Sequence, residues 1–544
     1  MSKPLQADRL TGASGMPMNN QSVISILLHG HLPFIRHDDN SPASREYLFF
    51  ESLSETYIPL LEVFDRLDRD HVPFRMGISL SPTLCHMLAD ELFIQRYISY
   101  TDRQIAFGEL ELERTSGDSD LFPLAKFFYD RVVEKKQFFT GRWEKNILKG
   151  FDYYQRKGRL EILATAATHA FLPFYTAHPE AVQAQFEVAL STYKSNFGKH
   201  PQGFWLPELG WKTELDSWLR AYNFCYTVVD AHALVFSRPP AEKGCFYPAK
   251  TPMGIFIFGR DFYAAHTMAD LKKDPVFRYN FRDLGFELPL ENVKSFLGPQ
   301  GGREKTGYKY WAAGEDNSGK TIYNPALAME KAKMQARSFL DSRFSGLKSA
   351  SQYMSGSSIS LCAFEADNFG RSWYEGPEFI EALFREGAKS GEVQFMTPAE
   401  YLWKLDQGTF QTLSPEFSSW GTNGYAETWL DASNDWMYRH AMRALERMVE
   451  IAERFPDNTG LKERALNQAA REILLVLSSD WSKMLYKQEC ADYAKKCIEN
   501  SLRNFTTIYE ALGSNYISTE WLTQLERRHN IFPNINYRVF RRKR

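Results

Sequence analysis

The sequence contains few cysteines, and their spacing predicts neither a zinc site nor a disulfide framework. Six cysteines are spread over 544 residues without a Cys-x-x-Cys pair, an arrangement that argues against both kinds of site. No stretch approaches the roughly 20 consecutive apolar residues that cross a bilayer. The formal net charge is −2, which gives no electrostatic reason to expect a nucleic acid or an anionic membrane as a partner.

The first 20 residues lack the apolar core of a secretory signal peptide. They are polar and contain Gly, Ser and Asn, so we expect a disordered N-terminus over residues 1–20 and a cytoplasmic protein. The length of 544 residues predicts two or three domains. The aromatic content of 15% is high, and part of it is compatible with the stacking of sugar rings on aromatic side chains. The sequence indicates no oligomeric state.

Short apolar runs that end in polar residues recur as far as residue 395. They lie at 23–28, 74–80, 160–164, 204–206, 225–229, 255–258, 359–364 and 393–395. Helical periodicity occurs between several of these runs, at 51–67, 180–197 and 326–342. Strands that alternate with helices and end in polar residues predict a parallel (β/α) barrel, in which catalytic groups follow the carboxyl ends of the strands.

The pattern changes along the chain in a way that predicts two main domains. We expect the barrel over residues 21–404, with a helical insertion at about 98–150 and long loops at 235–252 and 262–325. Beyond residue 405 the strand patterns stop, and helical periodicity begins. We therefore predict an all-helical C-terminal domain over residues 405–544.

Glu208 is the first candidate catalytic residue, because it lies within the apolar stretch Gly-Phe-Trp-Leu-Pro-Glu-Leu-Gly-Trp at 203–211. A buried carboxylate is costly unless it is paired, hydrogen-bonded or used in chemistry. Aromatic side chains such as Trp205 beside a carboxylate suit a site that binds and cleaves sugars. From this segment alone, a structural and a catalytic role of Glu208 are equally open.

Glu365 and Asp367 are candidates for a second catalytic carboxylate, since both follow the apolar run 359–364. Residues i and i+2 of an extended segment face the same side, so we expect one acid in the site and the other near enough to raise its pKa. A retaining glycosidase needs a nucleophile and an acid/base about 5 Å apart, and the acid/base needs a raised pKa. A purely structural role of the pair is the alternative.

His29 and His31 also alternate on an extended segment, so both rings are expected to face one cavity. Hydrogen bonds to sugar hydroxyls are the favoured role, with core packing and metal binding as alternatives. Other residues would bind substrate or brace the barrel. They are Glu161, His169, Asp230, His232, Arg260 and Asp261. Trp420 and Trp481 are sugar platforms or core residues, and Trp420 is expected to be exposed on a loop.

Several short motifs occur in a fixed order along nearly the whole chain. They are His-Gly-His-Leu-Pro at 29–33, Trp-Leu-Pro-Glu at 205–208, Asp-Ala-His at 230–232, Gly-Arg-Asp at 259–261, Phe-Glu-Ala-Asp-Asn-Phe-Gly at 364–370, Ser-Trp-Gly at 419–421 and Ser-Asp-Trp at 479–481. In this order they resemble glycoside hydrolase family 57. Within that family the chain is similar to the 1,4-α-glucan branching enzymes and to their α-amylase and 4-α-glucanotransferase relatives.

The resemblance implies a distorted (β/α)7 barrel followed by a helical domain. It also implies a retaining double displacement on α-1,4-glucan that uses neither a metal nor an organic cofactor. Glu208 matches the family's nucleophile, and a glucan 6-hydroxyl would then attack the glycosyl-enzyme to form an α-1,6 branch. Asp480 in the Ser-Asp-Trp motif and Trp373 in a further matching motif, Trp-Tyr-Glu-Gly at 373–376, join the predicted substrate contacts.

The sequence departs from the family pattern at the second carboxylate. Glu365 stands where the family has an aspartate acid/base, and Asp367 stands where it usually has a glutamate. The extra methylene of Glu365 moves its carboxyl group by roughly 1.5 Å, and a misplacement of about 1 Å can cost about 100-fold in rate. Branching is the activity that the resemblance favours. The alternatives are an α-amylase, a 4-α-glucanotransferase and a catalytically impaired homologue that binds glucan.

Overall fold

A computed structural model describes residues 22–35, 46–297, 301–354, 357–405 and 410–543 of the chain. The predicted disordered segment 1–20 lies outside the described residues. The strands are β1 Ser22–Gly30, β2 Met76–Leu80, β3 Leu160–Thr165, β4 Gly203–Trp205, β5 Tyr226–Val229, β6 Ala249–Lys250, β7 Phe256–Gly259, β8 Trp311–Ala312, β9 Thr321–Ile322, β10 Ile359–Glu365 and β11 Val393–Phe395.

Parallel pairing joins seven strands into a curled sheet in the order β10-β1-β2-β3-β4-β5-β7. The antiparallel strand β6 extends it beyond β7, and β11 pairs with the start of β1 on the edge opposite β10. The two ends of the seven-strand path approach each other, since the backbone N–H of Asp261 donates to the carbonyl of Leu361 at 2.8 Å. The predicted distorted (β/α)7 barrel is confirmed.

Helices cover the outside of the barrel and form the C-terminal part of the chain. They are α1 Glu46–Ser52, α2 Ile58–Arg69, α3 Pro82–Ala89, α4 Glu91–Thr115, α5 Leu121–Gln137, α6 Ile147–Arg156, α7 Pro179–Phe197, α8 Glu214–Ala221, α9 Ala231–Val235, α10 Phe262–Leu271, α11 Leu284–Glu287, α12 Pro325–Ser351, α13 Gly376–Ser390, α14 Pro398–Lys404, α15 Asp435–Arg454, α16 Leu461–Val476, α17 Ser479–Lys487, α18 Ala491–Ser514 and α19 Thr519–Arg528. In the part of the chain that the structure describes, no helix is long enough and apolar enough to cross a membrane.

The predicted insertion at 98–150 falls on the helices α4 to α6. The segment 262–325 differs from the predicted long loop, because it contains the helices α10 and α11 and the β8–β9 hairpin. Its Pro, Gly and Lys residues separate these short elements, and they suggested a continuous loop. The division of the chain into domains stays a prediction from the sequence.

Strand β1 shows why the barrel strands are almost uniformly apolar. Val23 and Leu27 belong to the cluster that fills the inside of the barrel. Ile24, Ile26 and Leu28 point the other way and pack in the larger cluster that includes the surrounding helices. A parallel strand covered on both faces has no solvent side, so it reads as a continuous apolar run.

The loop after β10 is fixed by a close backbone approach at Gly370. This residue has φ +146°, and a Cβ there would lie 1.9 Å from the carbonyl oxygen of Glu55. Only glycine fits without a shift of one of the two backbones. The next residue, Arg371, donates its N–H to Thr56 Oγ at 3.1 Å. The segment that begins at Glu365 is thereby held against the short π-helix Leu53–Tyr57.

Candidate active site

Polar side chains gather where the barrel strands end, under the first turn of α17. His29 is the residue before the last of β1, and Glu365 is the last residue of β10 and pairs in register with His29. Glu208 follows β4. Because the strands are parallel, these carboxyl ends meet at one edge of the barrel.

Glu208 lies on an unusual backbone. It occupies the short 3-10 turn Pro207–Leu209 with φ 58° and ψ 20°, a left-handed backbone conformation that residues other than glycine rarely adopt. Its carbonyl accepts the backbone N–H of Trp420 at 2.9 Å, which helps to hold the turn. Such a backbone conformation costs about 1–3 kcal/mol of folding free energy and persists only when the surrounding structure holds it in place. The carboxylate is thus aimed into the site at an energetic cost.

The Glu208 carboxyl group is 2% exposed and has partners on both oxygens. The indole N–H of Trp420 donates to Oε2, and Ser479 Oγ lies 3.4 Å from Oε1. His169 Nδ1 lies 3.7 Å from Oε1, and Lys483 Nζ lies 4.0 Å from Oε2. Burial raises the pKa of Glu208, whereas the Lys483 ammonium and the Trp420 N–H oppose that rise.

Ser479 and His169, which both lie within 4 Å of Glu208 Oε1, belong to a hydrogen-bonded network that continues to His29. The hydroxyl of Ser479 donates to the carbonyl of His169 at 2.6 Å, so its single proton is used there. His169 Nδ1 lies 3.0 Å from Ser479 Oγ. Because this hydroxyl has no second proton to give, Nδ1 of His169 must be the donor. Its Nε2 then accepts from His29 Nε2 at 2.8 Å, and His29 Nδ1 accepts from Ser79 Oγ at 3.0 Å. Burial lowers the pKa of both histidines well below the usual value, in keeping with neutral rings.

His31, His169 and Asp480 offer ligand atoms within 4.8 Å of one another, which makes them a candidate metal site. The rings of His31 and His169 are stacked with centroids 3.9 Å apart and an angle of 12° between them. Lone pairs of parallel stacked rings run side by side and do not converge on one point, as a tetrahedral metal requires. His31 Nε2 instead pairs with Asp480 Oδ2 at 2.9 Å. The geometry is that of a hydrogen-bonded network.

Glu365 lies across the site from Glu208 and pairs with the same lysine. Its Oε1 is 3.1 Å from Lys483 Nζ, and its side chain is 46% exposed. The Lys483 ammonium lowers the pKa of Glu365 to about 2. The two carboxylates in turn raise the pKa of Lys483 above its usual value. One ammonium group therefore contacts both acids.

An open cavity of about 430 Å³ lies beside Glu365. Trp420 and Trp429 line one side of it, and Arg260, Lys272, Lys483 and Lys487 also reach it. Its volume falls within the range of about 300–1,000 Å³ that is typical of small-molecule sites. Glu365 is the carboxylate that lines this cavity, and Glu208 contacts two of its lining residues, Trp420 and Lys483, so a sugar ring bound there would lie near both acids.

Two family models match the chain. The model described as glycosyl hydrolase family 57 matches residues 25–413. The chain belongs to glycosyl hydrolase family 57. A second model, described as the C-terminal part of 1,4-alpha-glucan branching enzyme, matches residues 440–540, which include α17 with Lys483.

Relatives of this family 57 protein carry two kinds of name. The 1,4-alpha-glucan branching enzyme TK1436 of Thermococcus kodakarensis is 26% identical over 549 residues, which cover 94% of this chain and 77% of that protein. The alpha-amylase AmyC from Thermotoga maritima has a similar structure, with a TM-score of 0.90 and 34% identity over 96% of this chain and 100% of AmyC. A family 57 branching enzyme from Pyrococcus horikoshii follows with a TM-score of 0.86 and 25% identity, covering 96% and 97%.

Many of the predicted site residues form one connected group. They are His29, His31, His169, Glu208, Glu365, Trp420 and Asp480. Trp420 is 8% exposed, so the expectation of an exposed loop tryptophan is corrected. Its bonds to Glu208 draw it into the site. At the rim, Arg260 pairs with Asp230 at 2.7 Å, and His232 Nε2 donates to the carbonyl of Gly424 at 2.8 Å.

Asp367 does not face the same side as Glu365, contrary to the prediction. Strand β10 ends at Glu365, and residues 366–368 form a 3-10 turn, so the alternation of an extended segment stops there. Asp367 instead pairs with Arg371 at 2.7 Å and accepts from Ser52 Oγ at 3.1 Å. It therefore does not raise the pKa of Glu365, which Lys483 lowers.

Five other predicted substrate contacts are not available to a ligand in the cavity. Glu161, near the start of β3, accepts from Tyr226 Oη at 2.7 Å at the opposite end of the barrel. Asp261 is bound to Arg343 at 2.9 Å. The remaining three are buried tryptophans: Trp205 behind His29, Trp373 among phenylalanines and Trp481 in the helical part. These residues shape or brace the site.

Lys483 and Ser479 are the important residues that sequence reasoning missed. Both lie on α17, and Lys483 follows Ser479 by four residues and Asp480 by three. Residues at this spacing share one face of a helix. The Asp480-Trp481 motif marked this helix, and its periodicity places Lys483 beside Asp480. Nothing local indicated which partners that face would meet.

We expect Trp420→Phe to raise the pKa of Glu208 by about one pH unit, because a hydrogen bond to a charged group contributes about 1.5–3 kcal/mol. The measurement is a 13C NMR titration of labelled glutamate carboxyl groups, with the Glu208 signal assigned by its absence in Glu208→Gln. Trp429→Phe is the matched control, since that indole also lines the cavity but donates to no described residue. Equal titration of wild type and Trp420→Phe would contradict the assigned bond.

Proposed function

We propose that this protein is a retaining family 57 transglycosylase that cleaves α-1,4-glucan and forms α-1,6 branches. The observation that carries the proposal is the contact of one ammonium group with both Glu208 and Glu365. Lys483 Nζ lies 4.0 Å from Glu208 Oε2 and 3.1 Å from Glu365 Oε1. The distance between these two carboxylate oxygens can therefore not exceed the sum of the two contacts. Retaining glycosidases separate their carboxyl groups by about 5–5.5 Å and inverting ones by about 6.5–9.5 Å. This upper limit excludes most of the carboxyl separations that are typical of inverting glycosidases.

In this proposal Glu208 attacks the anomeric carbon, and Glu365 donates a proton to the departing glucan oxygen. The pair must hold one proton, and the productive state has it on Glu365. In the free site the raised pKa of Glu208 and the lowered pKa of Glu365 favour the opposite arrangement. A sugar in the cavity would exclude water from the half-exposed Glu365, and desolvation raises the pKa of a carboxyl group. Substrate binding would thereby move the site toward its productive state.

The choice of branching over hydrolysis rests on the relatives. A branching-enzyme model matches residues 440–540, and two of the similar proteins described above are named branching enzymes. The similarity to AmyC, a named alpha-amylase, keeps hydrolysis as an outcome of the test. A glycogen-like substrate and a cytoplasmic site of action remain predictions.

The function is tested by incubating the full chain with amylose. Branching predicts a fall of iodine absorbance and an increase of α-1,6 linkages with little release of reducing ends. We expect Glu208→Gln to lose about 1,000-fold or more of this activity, because an amide cannot form the glycosyl-enzyme. A rise of reducing ends without new α-1,6 linkages would show an amylase. Activity of Glu208→Gln equal to that of wild type would contradict the nucleophile assignment.

A second candidate function is glucan binding by a catalytically impaired homologue. The close pairing of Glu365 with Lys483, together with the glutamate in place of the family's aspartate, favours it. Under the branching proposal, Glu365→Asp shortens the side chain, breaks its fit to Lys483 and lowers activity by about 10–100-fold. A rate gain of similar size would instead favour the impaired homologue, with Glu365 as its defect. The amylose assay on purified wild type and Glu365→Asp measures the difference.

A further inference from the structure

The cavity beside Glu365 carries more positive charge than a neutral glucan requires. Arg260, Lys272, Lys483 and Lys487 reach it, whereas Glu365 is the one carboxylate among the described residues that line it. Two of the cations already have acid partners. Arg260 pairs with Asp230, and Lys483 contacts both Glu365 and the buried Glu208. Lys272 and Lys487 account for the excess.

Among the residues that the structure describes, neither of these two lysines has an acid partner. Lys272 Nζ lies 3.1 Å from the neutral amide oxygen of Asn368. Within the described ranges, no carboxylate oxygen lies within 4.0 Å of Lys272 or Lys487. Both lysines still interact electrostatically with Glu365. This carboxylate opposes the lowering of the Lys272 pKa by burial, and the Lys487 ammonium lowers the pKa of Glu365. Around one carboxylate there are thus three ammonium groups.

The lysines approach the cavity from two separate elements. Lys272 directly follows α10, which comes after strand β7. Lys483 and Lys487 lie four residues apart on one face of α17. Burial lowers the pKa of Lys272, and a bound anion would oppose this effect. A group that carries close to two negative charges would match the two lysines that lack acid partners.

We propose that this cavity binds a phosphate monoester carried by a sugar. Lysine ammonium groups bind phosphate as point charges, and a phosphate ester carries about −1.5 to −2 charges at pH 7. Trp420 and Trp429 supply the apolar wall against which the attached sugar ring would lie. The sugar part of this proposal rests on the proposed glucan activity, and the phosphate part does not. The chemistry fits a hexose phosphate as well as a phosphate ester on a glucan chain.

The test is isothermal titration calorimetry of the full chain at pH 7 and constant ionic strength, with glucose 6-phosphate, glucose and inorganic phosphate as separate ligands. We expect glucose 6-phosphate to bind at least about 10-fold more tightly than either of the others, because charge-assisted contacts to the lysines add to sugar contacts. Equal affinities for glucose and glucose 6-phosphate would overturn the proposal. Inorganic phosphate that binds as tightly as glucose 6-phosphate would overturn its sugar part.

Three lysine variants localise the site. We expect Lys272→Met and Lys487→Met each to weaken glucose 6-phosphate binding by about 10-fold. Lys273→Met is the matched control, since its exposed side chain is adjacent in sequence and pairs with Asp270. Equal weakening in all three variants would overturn the assignment to this cavity. Thermal unfolding midpoints check that each variant is folded. Binding is measured without turnover, so an inactive protein that binds glucose 6-phosphate refutes the branching function alone.

Discussion

The site depends on one ammonium group that lies between two carboxylates from different strands. Glu208 follows β4 and Glu365 ends β10, and both lie within 4.0 Å of Lys483 Nζ. Two acids this close repel each other when both are ionised, and burial of Glu208 adds a desolvation cost. Because Lys483 comes from a C-terminal helix, the barrel alone supplies the acids but not the charge that holds them together. Under the proposed function, the C-terminal helices are therefore part of the active site.

The position of Lys483 follows from how α17 is fixed to the barrel. Ser479, at its first turn, donates to the carbonyl of His169, while Asp480 pairs with His31. Thr168 Oγ donates to the carbonyl of Leu474 at 2.5 Å in the preceding helix. Buried bonds of this kind leave little freedom, since breaking one exposes an unsatisfied group at a cost of about 1–3 kcal/mol. Moving the helix would thus disturb both the histidine network and the charge on Glu365.

Much of the fold and part of the site could be predicted from local patterns. Apolar runs followed by polar residues located the barrel strands, and with them His29, Glu208 and Glu365 at their carboxyl ends. Asp367 could not be placed, because its orientation depends on the residue at which β10 ends. Lys483 is 118 residues from Glu365 in sequence, and only tertiary docking brings them together. Helical periodicity gives the face of α17 but not the surface that this face meets.

The most direct test of this account is the pH dependence of kcat/KM for Lys483→Met on amylose. Above the higher pKa of the coupled pair, the site loses the proton that cleavage requires, so activity falls on the basic side. Loss of the ammonium group raises the pKa of both acids, and the basic limb should move to higher pH by about one unit or more. Lys495→Met, on the exposed face of α18, should leave the profile unchanged. An unshifted basic limb in an active Lys483→Met protein would contradict the central role of this lysine.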